Sequence, residues 1–262
     1  MEWLILIAVV LVGIPAAAWL MQDSLLFFPQ PVGSTAHLQV NAAPLEVVVP
    51  DGTHLRGWIA KGATSPAPVV IYFGGNAEEV SWTLSDRRWP GEWTIVGLNY
   101  RGYGASEGKP GQVALQADAL AIYDTIARRP DVDPRRVVVF GRSLGTAMAA
   151  HVAAERPAVA GAVLVSPYDS MIAIGRLHYP WLPVSLLLKH RFEAAADAER
   201  CHKALLAIVG AADSIIPPER SRALYDTWAG SKRWLVIPAA GHNDVAEHVA
   251  FWQAIAAFLS EH

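Results

Sequence analysis

The sequence predicts a single α/β domain in which eight mostly parallel strands form a sheet with helices on both faces. Three observations support this. Apolar runs of strand length alternate with helical stretches, a glycine-flanked serine follows one of the buried strands, and 262 residues are enough for one well-packed core. An uncharged apolar segment precedes the domain and is treated as a separate unit.

The first two predicted strands are Leu45–Val49 and His54–Ala60. They form an antiparallel pair because Pro50-Asp51-Gly52 between them favours a turn. The later strands alternate with helical stretches such as Gln112–Arg128, which predicts parallel pairing through crossover helices. These six strands are Val69–Phe73, Thr94–Tyr100, Val137–Phe140, Gly161–Val165, Leu205–Val209 and Trp234–Ile237. The alternation breaks between about residues 170 and 200, where we expect a short lid.

The N-terminal segment from Trp3 to Gln22 carries no charge and has a tryptophan near each end. About 20 apolar residues suffice to cross a bilayer, and tryptophan suits the two interfaces. We therefore predict a transmembrane anchor at residues 1–22, a tether at 23–36 that Phe27-Phe28-Pro29 holds close to the domain, and a globular domain at 37–262. A cleaved signal peptide and a soluble helix are the alternatives. The side of the membrane is left open, because no lysine or arginine precedes Arg56.

Two stretches follow the pattern G-x-S-x-G, centred on Ser106 and Ser143. Ser143 comes directly after the buried run Val137–Phe140 and before a stretch of small, helix-favouring residues. Strand, sharp turn and helix together expose a serine hydroxyl above the sheet, beside the free N–H groups of the helix. Ser106 has no strand directly before it and a Lys-Pro-Gly stretch soon after it, which indicates a loop. Ser143 is therefore the predicted nucleophile.

A serine nucleophile needs a general base, and the base needs a carboxylate that holds its tautomer. Asp213 follows a strand and a flexible Gly-Ala-Ala turn, so it is the predicted acid. Asp169 follows the preceding strand and stays open as a rival. Among nine histidines, His242 alone lies in a strand-to-helix loop downstream of both Ser143 and Asp213, which makes it the predicted base.

Acyl transfer also needs donors for the developing oxyanion. The backbone N–H of Leu144 follows the nucleophile and is the first candidate. The glycine loop at Gly74-Gly75, directly after the strand Val69–Phe73, offers the N–H of Asn76 as the second.

Five motifs occur in sequence order: Gly74-Gly-Asn-Ala, Asn99-Tyr-Arg-Gly-Tyr-Gly-Ala-Ser-Glu-Gly, Gly141-Arg-Ser-Leu-Gly, Ser166-Pro-Tyr-Asp-Ser and Gly241-His-Asn-Asp. With them the chain resembles the α/β-hydrolase superfamily, and within it the N-terminally anchored, serine-aminopeptidase-like branch of the Bem type. The resemblance implies the α/β-hydrolase fold with a short lid, and the same five site residues as above. Many relatives carry His-Gly where this chain has Gly74-Gly75, so we expect looser side-chain hydrogen bonding in that loop.

Composition excludes several classes of protein. A net charge of −3 with 17% charged residues offers no basic field for nucleic acid. A single cysteine, Cys201, rules out an intrachain disulfide framework and a cysteine-based metal site, and we predict no cofactor.

The predicted function is that of a membrane-anchored, single-pass serine hydrolase. Its expected substrates are small carboxylic esters or thioesters, including lipid-derived ones, and its expected partner is the bilayer. One alternative is an aminopeptidase-like amide hydrolase, for which Glu78, Glu79 and Asp169 are available to receive a substrate ammonium. Another is a non-catalytic binding scaffold.

Overall fold

Eight strands form one sheet in the order β1-β2-β4-β3-β5-β6-β7-β8 in the computed structural model, which describes residue 3 and residues 12–38 and 41–262. The strands are β1 (Ala42–Val48), β2 (His54–Ala60), β3 (Ala67–Phe73), β4 (Thr94–Leu98), β5 (Val132–Arg142), β6 (Gly161–Val165), β7 (Ala204–Gly210) and β8 (Lys232–Ile237). β2 pairs antiparallel with β1 and with β4, and every other pairing is parallel. The predicted eight-stranded, mostly parallel sheet is confirmed.

Helices connect these strands along the described part of the chain. They are α1 (Ile14–Leu26), α2 (Ser81–Leu84), α3 (Gln112–Ala127), α4 (Gly145–Glu155), α5 (Met171–His178), α6 (Val184–Leu187), α7 (Ala194–Arg200), α8 (Pro218–Thr227) and α9 (Val249–Ser260), with a 3-10 turn at Val245–Glu247. The 3-10 turn separates His242 from the start of α9.

The sheet has a packed core on each face because successive strand side chains point to opposite sides. Ile71 of β3 belongs to the same apolar cluster as Met148 of α4. Its neighbour Val70 belongs to the cluster on the other face, together with Phe258 of α9. All four side chains are almost fully buried. Burial on both faces explains why β3, β6 and the segment Val137–Phe140 of β5 are continuous apolar runs rather than alternating ones.

The carboxyl ends of β3, β5, β6, β7 and β8 meet at one edge of the sheet. The cross-strand pairs at this edge are Phe73–Gly141, Arg142–Val165, Val165–Ile208 and Gly210–Ile237. Loops that follow these strands therefore converge, which is where ligands bind in open α/β sheets.

The N-terminal helix differs from the predicted boundary between anchor and tether. α1 continues to Leu26, whereas the tether was expected to begin at residue 23. Gln22 joins this helix to the end of α6: its Nε2 donates to the Leu187 carbonyl oxygen at 3.2 Å, and the Lys189 N–H donates to Gln22 Oε1 at 2.7 Å. Phe27 then packs in the core, 3% exposed, with its ring against His190.

The predicted transmembrane segment falls partly on residues 4–11, which lie outside the described residues. Among the residues that are described, no helix has both the length and the apolar character needed to cross a bilayer.

Candidate active site

Ser143 lies in the turn between β5 and α4 with a φ of +51°. This is the left-handed region, which costs a non-glycine residue free energy and is kept where the surroundings enforce it. The flanking glycines are required by close backbone approach. A Cβ on Gly141 would overlap the Gly145 carbonyl oxygen, and a Cβ on Gly145 would overlap the Phe73 carbonyl oxygen. The turn therefore has the geometry of a nucleophile elbow.

Three side chains form a continuous hydrogen-bonded chain at the sheet edge. Ser143 Oγ lies 3.0 Å from His242 Nε2, and His242 Nδ1 lies 2.8 Å from Asp213 Oδ2. A carboxylate only accepts, so Nδ1 carries the proton and Nε2 is left to accept from the serine hydroxyl. The side chains of His242 and Asp213 are 8% and 0% exposed, so solvent competes little with these bonds.

The Asp213 carboxylate is held on all sides. Oδ1 accepts from the N–H groups of Ile215 and Ile216 at 3.0 and 2.8 Å, while Oδ2 also accepts from Ser166 Oγ at 2.8 Å. Burial by itself would raise the pKa of Asp213. The hydrogen bonds outweigh burial, the one with His242 most of all, and hold the pKa below its ordinary value of 3.8. The group is therefore ionised at neutral pH.

Asp169, the rival acid, is engaged elsewhere. Its Oδ2 accepts from Arg220 Nη1 of α8 at 3.1 Å. Because His242 is bonded to Asp213, the structure places Asp213 and not Asp169 behind the imidazole.

The two predicted oxyanion donors belong to segments that adjoin Ser143. Leu144 directly follows it, and a methyl group placed on Gly75 would lie 3.6 Å from Ser143 Cβ, so the glycine loop adjoins the nucleophile. Within the described part of the chain, the backbone N–H groups of Leu144 and Asn76 have no hydrogen-bond partner. Unpaired N–H groups beside a serine hydroxyl are suited to stabilise negative charge on a substrate oxygen.

Side-chain hydrogen bonds hold this glycine loop, contrary to the expectation that it would be loose. Glu78 Oε2 accepts from the Gly75 N–H at 2.7 Å, and the Gly74 carbonyl oxygen accepts from Tyr100 Oη at 2.7 Å. Burial raises the pKa of Tyr100, which keeps it a neutral donor. Glu78 and Tyr100 thus brace the loop through side-chain hydrogen bonds.

Arg142, which directly precedes the nucleophile, connects the two sides of the site. Its Nη1 donates to Glu78 Oε2 at 3.3 Å, on the glycine-loop side. Its Nη2 donates to Asn243 Oδ1 at 2.8 Å and to the His242 carbonyl oxygen at 3.3 Å. The positions of the oxyanion loop and of the histidine loop are therefore coupled through one guanidinium.

The N-terminal segment also contacts the oxyanion loop. Asn76 Nδ2 donates to the Leu26 carbonyl oxygen at 2.5 Å, and Asn76 Oδ1 accepts from the Phe28 N–H at 3.1 Å and from Tyr103 Oη at 2.7 Å. The end of α1 is thus part of the surroundings of the site.

The Ser106 side chain has a structural role. Its Oγ accepts from the Arg56 N–H at 2.8 Å and donates to the Asn99 carbonyl oxygen at 2.8 Å. The G-x-S-x-G stretch around Ser106 is therefore a loop after β4 that the buried Ser106 side chain holds against β2.

Ser166 and Arg142 were not predicted as functional residues, and Glu78 was named only as a partner for a substrate ammonium in the peptidase alternative. Ser166 could have been found by the rule that located Asp213 and His242, because it is the first residue after a parallel strand. No such signal points to the contact between Arg142 and Glu78, because the two residues lie 64 positions apart in sequence.

Substitution of Ser166 with alanine should reduce kcat by about tenfold, the value of one hydrogen bond to a charged group. The pKa of Asp213 should rise toward its unfolded value. A lowered carboxylate pKa contributes stability that is present above the unfolded pKa of about 3.9 and lost as the pH falls through the folded pKa. The difference in unfolding free energy between wild type and Ser166→Ala, measured in urea, should therefore shrink between pH 7 and pH 3. A difference that is constant over this range would contradict the assignment of Ser166 to Asp213.

One other cluster of potential ligand atoms occurs in the described residues. His151, Glu155 and Asp197 have ligand atoms within 4.8 Å of one another. Arg200 already donates to Glu155 Oε1 at 2.9 Å and to Asp197 Oδ1 at 2.7 Å, so a guanidinium occupies the position that a metal cation would need. The cluster is better described as a surface ion-pair network.

Comparison with known proteins agrees with the fold and the motifs. Residues 74–184 match the model of the family described as "Serine aminopeptidase, S33", a range that includes the glycine loop and Ser143. The uncharacterized protein Rv2307c of Mycobacterium tuberculosis is 35% identical over 98% of this chain and 93% of its own length. An uncharacterized membrane protein of Saccharomyces cerevisiae, YNL320W, is 28% identical over 83% of this chain and 79% of its own length.

The solved structures include similar folds at low sequence identity. The Pyrococcus furiosus esterase PF2001 superposes with a TM-score of 0.69 and 19% identity, covering 89% of this chain and 96% of that one. Four observations agree: the sheet order, the elbow at Ser143, the matching family model, and the similarity to Rv2307c over nearly the whole length. This chain belongs to the α/β-hydrolase superfamily.

Proposed function

We propose that this protein is a membrane-anchored serine hydrolase that cleaves carboxylic esters or thioesters through an acyl-enzyme intermediate. The observation that carries the proposal is the hydrogen-bonded chain Ser143–His242–Asp213, with distances of 3.0 and 2.8 Å, beside the unpaired N–H groups of Leu144 and Asn76. Non-catalytic members of such a fold have no need for a strained serine, an oriented imidazole and a buried carboxylate together.

The proposed reaction follows from these positions. Ser143 Oγ attacks the acyl carbonyl carbon while His242 Nε2 takes the hydroxyl proton, and the resulting imidazolium is stabilised by Asp213. The N–H groups of Leu144 and Asn76 donate to the oxyanion of the tetrahedral intermediate. As the intermediate collapses, the carbon–oxygen or carbon–sulfur bond to the leaving group breaks and His242 returns the proton to that group. A water molecule then repeats both steps on the acyl-enzyme and releases the carboxylic acid.

The carboxylates near the site favour an ester or thioester over a peptide with a free amino terminus. Glu78 is committed to Gly75 and Arg142, and Asp169 is paired with Arg220. Glu79 accepts from Asn99 Nδ2 at 3.0 Å and from Trp58 Nε1 at 3.3 Å. Glu78 and Asp169 each already pair with a guanidinium, which weakens their attraction for a substrate ammonium, and of their oxygens in the described structure Asp169 Oδ1 alone is buried without a hydrogen-bond partner.

Exposed apolar side chains support association with a lipid surface. They occur on α1 and on the lid around α5 and α6, which lie against each other. Those on α1 include Leu20 and Met21, and those on the lid include Trp181 and Leu186. Clustered apolar exposure marks an interaction surface, and a helix with such a face suits a membrane interface. The predicted apolar segment Trp3–Gln22 and the membrane designation of the yeast relative YNL320W add to this support.

A substrate panel tests the chemistry. We expect 4-nitrophenyl esters and acyl thioesters to be hydrolysed, and aminoacyl 4-nitroanilides to be poor substrates, as judged by kcat/KM on the full-length chain. A higher kcat/KM for the anilides would establish the peptidase alternative. No turnover of any member, together with no labelling by a fluorophosphonate, would establish the scaffold alternative.

Fractionation tests the anchor. The full-length protein should stay in the membrane pellet after alkaline carbonate extraction and should be released by detergent. Release by carbonate alone, or a mature protein that begins after Ala18, would remove the anchor from the proposal while leaving the hydrolase in place.

A further inference from the structure

A groove of about 560 Å³ lies between the N-terminal helix and the lid. This volume is within the range of roughly 300–1,000 Å³ that is typical of small-molecule sites. One wall is formed by α1, including Ala18 and Leu25, and the other by the lid, including Met171 and Ile174 of α5 and Leu187 of α6. We call this space the α1–lid groove.

The walls of the α1–lid groove offer an apolar ligand few competing polar atoms. Gln22 is the one amide side chain of the α1 wall, and it is 6% exposed. Its Nε2 donates to the carbonyl oxygens of Trp19 and Leu187, and its Oε1 accepts from the Lys189 N–H. His178 on the lid is bonded to the Ile215 carbonyl oxygen at 2.8 Å. With these groups satisfied, the groove favours hydrocarbon over a polar ligand.

Both walls are joined to the candidate active site by single hydrogen bonds. On the α1 side, the Leu26 carbonyl oxygen accepts from Asn76, whose loop contains the predicted oxyanion donor. On the lid side, His178 is bonded to Ile215, whose own N–H donates to Asp213 Oδ1. Leu26 and His178, which both line the groove, therefore contact the oxyanion loop and the acid loop, so the groove adjoins the candidate active site on two sides.

We propose that the α1–lid groove binds the acyl chain of the substrate, so that the N-terminal helix forms one wall of the substrate site as well as belonging to the anchor. The inference rests on the proposed hydrolase function and narrows its substrate class to esters or thioesters of unbranched, medium to long acyl chains. Each methylene that enters the groove should increase the binding constant of the acyl chain about fourfold.

A matched pair of substitutions on α1 tests the groove. Ala18 lines it, whereas the adjacent Ala17 is exposed and does not. The measurement uses the full-length chain in phosphatidylcholine nanodiscs and compares kcat/KM for 4-nitrophenyl decanoate with kcat/KM for 4-nitrophenyl acetate. Ala18→Trp should lower this decanoate-to-acetate ratio by on the order of tenfold, because the indole displaces two or more methylenes of the decanoyl chain. Ala17→Trp places the same indole one residue away and should leave the ratio unchanged.

A second pair covers the case in which Ala18→Trp does not fold. Leu25 lines the groove and Leu20 does not, and both are more than half exposed, so polar substitutions at either are tolerated by the core. Leu25→Asn should lower the decanoate-to-acetate ratio several-fold, and Leu20→Asn should not.

Binding without turnover separates this inference from the proposed function. Decanoate should bind to the Ser143→Ala protein, as measured by calorimetry, and adding Ala18→Trp should weaken that binding by about tenfold. Suppose that the wild type hydrolyses the acetate ester, but that Ala18→Trp and Leu25→Asn change neither the decanoate-to-acetate ratio nor decanoate binding. The groove then does not hold the acyl chain, whereas the proposed hydrolase activity is retained. If decanoate binding responds but no ester is hydrolysed, the groove stands and the proposed activity is wrong.

Discussion

Replacing Ser143 with alanine should abolish labelling by a fluorophosphonate and lower kcat for ester hydrolysis by on the order of 10⁶, because the nucleophile of both reactions is removed. The fold should persist, since the substitution deletes one oxygen whose hydrogen-bond partner is His242, an imidazole 8% exposed. Gel-based labelling and initial rates give the two readouts, and a thermal melt close to that of the wild type shows that the protein is folded.

The control is the same substitution in the other G-x-S-x-G stretch. Ser106→Ala should retain full labelling while losing stability of about 1–3 kcal/mol, because Ser106 Oγ bonds two backbone groups within the protein. Ser143→Ala should therefore keep the wild-type stability and lose labelling, whereas Ser106→Ala should lose stability and keep labelling. Labelling that survives in Ser143→Ala would show that another residue is the nucleophile.

Asp213→Asn should lower kcat by on the order of 10⁴ while substrate binding changes little. The amide that replaces the carboxylate can donate to His242 Nδ1, which leaves Nε2 protonated and unable to take the serine proton. The expected signature is a loss in kcat with KM nearly unchanged, measured on a soluble short-chain ester.

Asp169→Asn is the matched control, because it makes the same change at the carboxylate that follows the neighbouring strand. It removes a charge that is paired with Arg220 and not with His242, so we expect kcat within a few-fold of the wild type and a modest loss of stability. A loss for Asp169→Asn as large as that for Asp213→Asn would mean that both carboxylates act on the imidazole.

The sheet and the chain positions of the three central residues were predictable because they depend on local patterns. Apolar runs of strand length, separated by helical stretches, lead to a parallel sheet, and the carboxyl ends of parallel strands converge at one edge. Ser143, Asp213 and His242 each follow such a strand within a few residues. The same rule applies to Asp169, so local pattern alone left two acids open.

The choice between those acids depends on contacts across the fold. Arg220 on α8 is 51 residues from Asp169 and pairs with it, while His242 reaches Asp213 across 29 residues. The bracing of the glycine loop by Glu78 and Arg142 is of the same kind, since it joins side chains that no sequence spacing relates. Side-chain pairs of this sort follow from the packing of helices on the sheet rather than from any one segment.

The α/β sheet, the strained turn at Ser143 and the apolar N-terminal segment each arise from residues adjacent in the chain, so the amino-acid pattern predicts them. The contacts of the N-terminal helix depend instead on residues far away in the chain. Gln22 meets Leu187 across 165 residues, and Leu26 meets Asn76 across 50. An apolar helix pattern is compatible with membrane insertion and with burial, because hydrophobic burial has no direction, whereas the hydrogen bonds of Gln22 and Leu26 fix which surface the described helix contacts.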